Sequence, residues 1–541
     1  MSLEPTSSNK STLGDLLNPI DRVLAWLSPA AGLRRIQQRH GLDQLQARSY
    51  DAASSTRLRK FAFDRQGPNA IAQQSAMAIR IQSRHSHRNH DIARGITRTM
   101  VNNVIGANGI GIEPTPRRAD GTIHDECAAL ISKLFDAWMK RPEVQRRFHF
   151  AKCQRMMGGL WMRDGEAFSQ NITGFVPGLR HHTDVPFSIE LIAADFIPLD
   201  YNEPAKGIIQ GAERDAWGEI KAWHCYKSNP TELQTPMMGW SDIKRVDAGR
   251  ILQLAFLDDP GQVRGISEFA SIITRLADIK DYEESERIAA KVAASLTAFI
   301  KKDGGQEGYS DEGVEKDERG RPKPRDMKFS PGMIIDNLAV GEEIGLIDSN
   351  RPNPNLITFR QGQLRAAAAG IGASYSSISK SYDGTFSAQR QELVEQYVNY
   401  AVLTDEFTGQ WLQPTYEAFI SAARLAGILK LPRDVVPESL DDALFTAQAM
   451  PWIDPLKEAG AWVMLARAGF ASEIEVLRKR GVNPRDFLEQ SKQWRAKTKD
   501  AGLVFTSNAE NGATVEAPNG SDAKPPGAVD AADPEEGASK T

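Results

Sequence analysis

Apolar residues recur at close to the 3.6-residue period of a helix along residues 266–302, at Phe269, Ile272, Ile273, Leu276, Ile279, Ile288, Val292, Leu296 and Phe299, with no Gly or Pro between them. The spacing predicts one helix of about 55 Å, comfortable only against neighbouring helices in a bundle or an oligomeric ring. Upstream, the same period predicts helices over 69–105, 124–138 and 148–162. Strand-like runs follow at 166–173, 187–193, 208–214 and 220–226, each bounded by Gly, Pro, Asn or Asp. Downstream, short strands are expected at 333–338 and 343–347, a helix at 356–375, and a polar, flexible stretch, SSISKSYDGTFS, at 376–387. A second periodic helix starts at Ala388, and helical patterns continue over 407–427, 437–450 and 453–479, ending near Lys499. The pattern predicts an α+β body over 48–257 and a mostly helical remainder.

Composition narrows the class. The chain has 541 residues, with 41% apolar and 25% charged residues. This excludes wholesale disorder, collagen and a disulfide scaffold, and fits about three or four domains or one long multi-segment subunit. Charge is uneven. Beyond residue 500, seven acids (Glu510, Glu516, Asp522, Asp530, Asp533, Glu535 and Glu536) stand against Lys524 and Lys540, a net of −5 that exceeds the whole chain's −4 and leaves the rest at about +1. The remaining body is nearly neutral, unlike a sequence-independent DNA coat, whose affinity rests on neutralising phosphates. The residues before 42 read as a mobile arm and those from 501 as a disordered acidic tail. Cys127, Cys153 and Cys225 form no C-x-x-C pair and read as structural thiols. No run of eighteen apolar residues predicts a membrane span, and the expected location is the cytosol or a particle assembled there.

There is no Gly-Lys dipeptide, so no phosphate-cradling ATPase loop, and Gly106-Ala-Asn-Gly109-Ile-Gly111 has turn rather than nucleotide-loop spacing. His85 and His90 lie about 140° apart on a helix and do not converge on one ion. No metal or cofactor is expected. Ser377-Ile-Ser-Lys380 matches S-x-x-K without its companion motifs, and His181-His182 lacks a third partner. These two groups define the hydrolase alternative. Asp164-Gly165-Glu166 reads as a solvated turn rather than an acid/base pair. Arg80, Arg84 and Arg88 fall on one helical stripe, repeated by Arg94 and Arg98. That stripe reads either as a solvated face or as a surface for phosphate or a neighbouring subunit's carboxylates.

In order along the chain stand Arg48-Ser-Tyr-Asp-Ala-Ala53, Arg88-Asn89 leading to Asn103-Val-Ile-Gly-Ala-Asn-Gly109, and Arg163-Asp-Gly-Glu-Ala-Phe168. Gly261-Gln-Val-Arg-Gly-Ile266, Ser330-Pro-Gly-Met333, the small-residue run 366–372 and Ser381-Tyr-Asp-Gly-Thr-Phe-Ser-Ala-Gln-Arg390 follow. This series resembles the lambda-type portal proteins of tailed bacteriophages, over about residues 42–431.

The resemblance implies an α+β, elongated portal-type subunit: a mixed α/β wing at 42–259, a stem helix at 260–302, a small α/β clip at 303–355 and a second stem helix at 356–375. A tunnel loop at 376–387, then a kinked wing helix and helical crown at 388–500, complete it. It further implies a non-enzymatic ring, usually of twelve copies, at one capsid vertex of the virion, assembled in the host cytoplasm. Double-stranded DNA passes through such a ring during packaging and ejection, without sequence preference. Its partners are the terminase large subunit, head-completion or connector proteins, and the major capsid or scaffold protein, with no membrane. In the tunnel loop, Ser376, Ser377, Ser379, Lys380, Ser381, Tyr382, Asp383 and Thr385 would face the DNA, Lys380 being its only cation. In the clip, Asp317, Glu318, Arg319, Arg321, Lys323 and Arg325 form a strip suited to head-to-tail pairing and to partner rings, or a charged linker. A capsid or scaffold interaction protein without a channel is the other structural reading.

Overall fold

A computed structural model describes residues 66–231, 240–294, 298–302, 342–346, 355–382, 384–448 and 454–500. The chain divides into two units, Met1–Gly67 and Pro68–Thr541, and every element below belongs to the second. The arm at 1–41, the tail at 501–541, the strand expected at 333–338, Asp383 and the clip residues Asp317, Glu318, Arg319, Arg321, Lys323 and Arg325 lie outside the described residues.

Helix α1 (Pro68–Asn89) opens on a proline at its first turn, where the missing N–H leaves no bond unmade. The single helix expected over 69–105 is two, because His90 leaves the helical conformation and its ring accepts from the Ile92 N–H to cap α2 (Asp91–Val104). Strand β1 (Gly111–Pro114) follows the glycine turn, where Gly106 and Gly109 both take positive φ. His124 caps α3 (Asp125–Met139) and His149 caps α4 (Phe150–Asp164) in the same way.

Strands β2 (Glu166–Thr173) and β3 (Phe187–Ala193) lie where the bounded strand-like runs place them. The run 208–214 is a hairpin, β4 (Ile208–Ile209) and β5 (Ala212–Arg214), turning at Gln210 and Gly211. Strands β6 (Ile220–Tyr226), β7 (Ile243–Asp247) and β8 (Ile251–Ala255) follow, the last two unanticipated. One antiparallel sheet has the order β3-β2-β8 and another β4-β5-β6-β7. Strand β2 separates two apolar cores: Ala167 packs into the larger, around Trp138, Phe150, Trp411 and Phe419, and Phe168 into the smaller, with Trp223 and Ile251.

The helix expected over 266–302 is shorter. A 3-10 turn at Glu268–Ser271, capped by Ser267, precedes α5 (Ile273–Ala294), about 33 Å long. Beyond it, β9 (Ala298–Lys302) pairs antiparallel with β10 (Glu342–Leu346), in a register that sets Lys301 and Lys302 opposite Glu343 and Glu342. The helical period ran on because Phe299 and Ile300 suit either element, and β9 has a strand partner distant in sequence.

Helix α6 (Leu356–Gly370) ends five residues before the expected 375, at a turn through Gly372 with φ +62°. A short helix, α7 (Tyr375–Ser379), occupies the start of the stretch expected to be loop, and α8 (Phe386–Phe407) starts two residues before Ala388. A π-helical turn at Thr408–Leu412 joins α8 to α9 (Gln413–Leu425). There Trp411 donates to Ser169 Oγ (2.7 Å) and the Gln410 side chain accepts from the Ala255 N–H (2.8 Å), pinning the turn to β2 and β8. The helix expected over 437–450 is instead a 3-10 turn, Pro437–Asp441, and strand β11 (Ala443–Thr446), which pairs with β1. Helices α10 (Pro455–Arg467), α11 (Glu473–Lys479) and α12 (Pro484–Asp500) replace the continuous run from 453, broken at Gly469 and Gly481, both at positive φ.

Candidate functional site

The loop between α6 and α8 is built from hydroxyls. Ser374 caps α7 by accepting from the Ser377 N–H, and the Ser374 and Ser377 hydroxyls both donate to Gln396 Oε1 on α8 (2.9 Å each). Gln396 in turn donates to the Tyr400 hydroxyl. Glu392 accepts from the Ser376 N–H (3.2 Å) and hydroxyl (2.8 Å), and Ser379 donates to the Tyr375 carbonyl. Ile378 is buried beneath them. The serines of α7 therefore hold the loop to α8, and its exposed tip consists of Lys380, Tyr382, Gly384 and Thr385. Lys380 ends α7 with φ +57° and a solvent-facing side chain, while Thr385 caps α8. Ser377 gives its proton to a neutral amide rather than to a base, which does not make a nucleophile. His181 lies between Ser188 Oγ (2.9 Å) and the Gly174 carbonyl (2.8 Å), a bracing position in the β2–β3 connection.

The arginine stripe on α1 turns inward. Arg80 is buried, donates to Glu166 (2.7 Å) and lies 3.5 Å from Asp195. Arg84 forks onto Asp164 (2.8 and 3.1 Å) and reaches Asp195 (2.6 Å). These carboxylates belong to the same chain, not to a neighbour or a phosphate. Only Arg88 of the three is exposed. Asp164 also receives Arg163 (2.6 and 2.8 Å), and Glu166 receives Arg264 (2.6 to 3.0 Å), the Gly265 N–H and the Gln253 amide. Asp164-Gly165-Glu166 is thus no solvated turn: both carboxylates are buried. Burial alone would raise the Glu166 carboxyl, but Arg264 and Arg80 outweigh it and hold it below the ordinary range; Arg163 and Arg84 do the same for Asp164. Arg264 extends the network by donating to the Ile197 and Gln210 carbonyls (3.1 and 2.9 Å). Sequence reasoning missed Asp195 and Arg264 as partners; the available signal was the alignment of Arg80 with the buried Ala72 and Ala76 on one helical stripe.

Burial pushes the Cys153 thiol up to about 12 and the Cys225 thiol up to about 11, so neither is a ready nucleophile. Among the described residues, no three His, Cys, Asp or Glu side chains are grouped to hold a metal, and no helix is long and apolar enough to cross a membrane.

Residues 54–403, more than half of the chain, match the family model of the phage portal protein, lambda family, and the chain belongs to that family. It is 24% identical over 432 residues to the probable portal protein of Halomonas phage phiHAP-1, covering 76% of this chain and 79% of that one. Among solved structures it is similar to a chain of the virion of a native gene transfer agent particle, with TM-score 0.44, 12% identity, and 76% of this chain and 94% of that chain covered. A chain from the neck of the empty particle, computed with C6 symmetry, gives 0.46, 12%, 76% and 94%. One from the neck of the native particle, computed with C12 symmetry, gives 0.41, 13%, 77% and 99%.

Proposed function

We propose that this chain is the repeating subunit of a portal ring, usually of twelve copies, that conducts double-stranded DNA through a capsid vertex. Besides family membership, one observation supports a ring: among the described residues, helices α10 and α11 bury no side chain and α12 buries only Thr498. They leave Leu456, Met464, Ile474 and Leu488 exposed, a surface that calls for a neighbouring copy. Purified protein at micromolar concentration is expected to form rings in negatively stained micrographs and a mass near twelve subunits by mass photometry. A strictly monomeric particle would overturn the reading.

The wing, stem, clip and crown divide the chain as 42–259, 260–302, 303–355 and 388–500, with a second stem segment at 356–375 whose helix is α6. The loop 376–387 faces the channel. A conduit must surround DNA without gripping it, since each phosphate contact adds affinity and slows passage. A tip with one exposed lysine among small polar residues suits that role. The ring is structural, and the energy for packing comes from the terminase, which meets the clip before head-completion proteins replace it. Lys380→Asn removes the charge while suiting the left-handed backbone. Combined with shortening of 381–385, it should leave heads assembled but incompletely filled, as measured by DNA content per particle. Normal filling would favour a capsid interaction protein without a channel.

A further inference from the structure

Two helices of equal length expose apolar stripes that nothing in the described chain covers. Helix α8 presents Val394, Val398, Ala401 and Val402 on its outer face, with Glu395 and Asp405 beside them. From 391 to 407 it holds four acids and no Lys or Arg. Glu395, Asp405 and Glu406 have no cation within ion-pair distance among the described residues. Burial and the nearby Asp258 and Asp405 push the Glu406 carboxyl up, as expected for an acid cluster without a counter-charge. Helix α1 presents the opposite character: Met77, Ala78 and Ile81 are exposed, followed by His85 and Arg88, and the helix contains no acid. Arg88 and, on α2, Arg94 and Arg98 are exposed and have no carboxylate partner among the described residues. Burial, then Arg163, Arg94 and Arg98, push the His87 imidazole down against the opposing pull of Asp164.

The spacings agree. Met77, Ile81 and Arg88 stand at i, i+4 and i+11, and so do Val394, Val398 and Asp405. On either helix that interval covers about 16 Å. We propose that α1 of one copy packs parallel to α8 of the next, Met77 on Val394 and Ile81 on Val398, with Arg88 meeting Asp405. This deepens the ring reading and rests on it. Because the two faces are different surfaces of one chain, the contact is head-to-tail, the kind that repeats from copy to copy and forms a ring where the rotation between copies closes. The charged ends fix its direction, since an antiparallel arrangement would bring Arg88 against the valines and leave Asp405 unpaired.

The test uses the full-length chain carrying Ile81→Cys together with Val398→Cys; the native Cys127, Cys153 and Cys225 are buried. Mild oxidation should give a ladder of disulfide-linked multimers on a non-reducing gel, with each single-cysteine variant staying near the monomer band. Arg88→Glu or Asp405→Arg alone should cut the ring fraction in mass photometry at least several-fold, and the two together should restore it. Wild-type rings with no ladder, or no rescue in the double reversal, would overturn the pairing and leave the ring reading standing. A link formed only within one chain would overturn it as well. Wild-type protein that never assembles would sink the ring reading itself.

Discussion

Glu166→Gln is expected to destabilise the protein by about 3–5 kcal/mol, the range for removing one partner of a buried ion pair. Glu166 is fully buried and its two oxygens receive Arg264, Arg80, the Gly265 N–H and Gln253. An amide in its place keeps the volume but loses the charge and turns an NH2 toward guanidiniums that have no water to retreat to. The loss should appear as a lower urea midpoint followed by tryptophan fluorescence, with Trp161 and Trp223 in the two flanking cores. Arg245→Ala is the contrasting variant. Arg245 also bridges two acids, Glu213 and Asp247, but at the surface, where water screens the pair. Its midpoint should not move. A wild-type midpoint for Glu166→Gln would mean that the network does not hold the α1–β2–264 junction.

The same carboxylates set the acid limit. The pKa values of Glu166 and Asp164 are depressed in the folded state, so the unfolded chain takes up protons first as pH falls. Their stabilisation is complete above the ordinary carboxylate range, about pH 4, and is lost as pH drops through the lower folded values. Glu268 and Glu406 act in the opposite sense. Burial and neighbouring acids raise their folded pKa values, so they favour the fold while protonated and oppose it as pH rises through those values.

What the sequence made legible follows from which interactions are local. Strands β2, β3 and β6 were readable because their runs are bounded by turn residues that stop them. The hydroxyl-rich loop was readable as a loop, but α7 inside it was not. Five residues have no period, and their helix exists because Gln396 and Glu392, on the following helix, accept from its serines. The expected long helix ran into β9 because a strand defined by a distant partner leaves no mark on a periodicity. The arginine stripe was the largest misreading. A spacing of four puts side chains on one face whether that face meets water or protein, and only the fold brings Glu166 and Asp195 to meet Arg80. The motifs around Gly165 and Arg264 announced the family without announcing that they touch.

That contact underlies the second large effect: Gly165→Ala is expected to lower stability by about 2–5 kcal/mol, enough to reduce soluble yield sharply. Gly165 ends α4 in the left-handed region at φ +88°, where an L-residue is strained by about 1–2 kcal/mol. A Cβ there would lie 2.3 Å from the Ser267 N and 2.4 Å from the Ile266 carbonyl carbon, and backbone cannot swing aside as a side chain can; forced overpacking adds about 1–3 kcal/mol. Gly265 mirrors it, with its own Cβ position 2.3 Å from the Gly165 oxygen. The two glycines therefore let two backbone segments touch, and the residues beside them, Glu166 and Arg264, meet at 2.6 Å because of that approach. Gly159→Ala, on the same helix with nothing within 4 Å of its Cβ, should instead stabilise the fold by about 0.5–1 kcal/mol through helix propensity. Differential scanning fluorimetry of the two variants should move in opposite directions. If Gly165→Ala melted with the wild type, the close approach would not be what sets the Glu166–Arg264 distance, and the family motifs at 163–168 and 261–266 would need another reason to sit together.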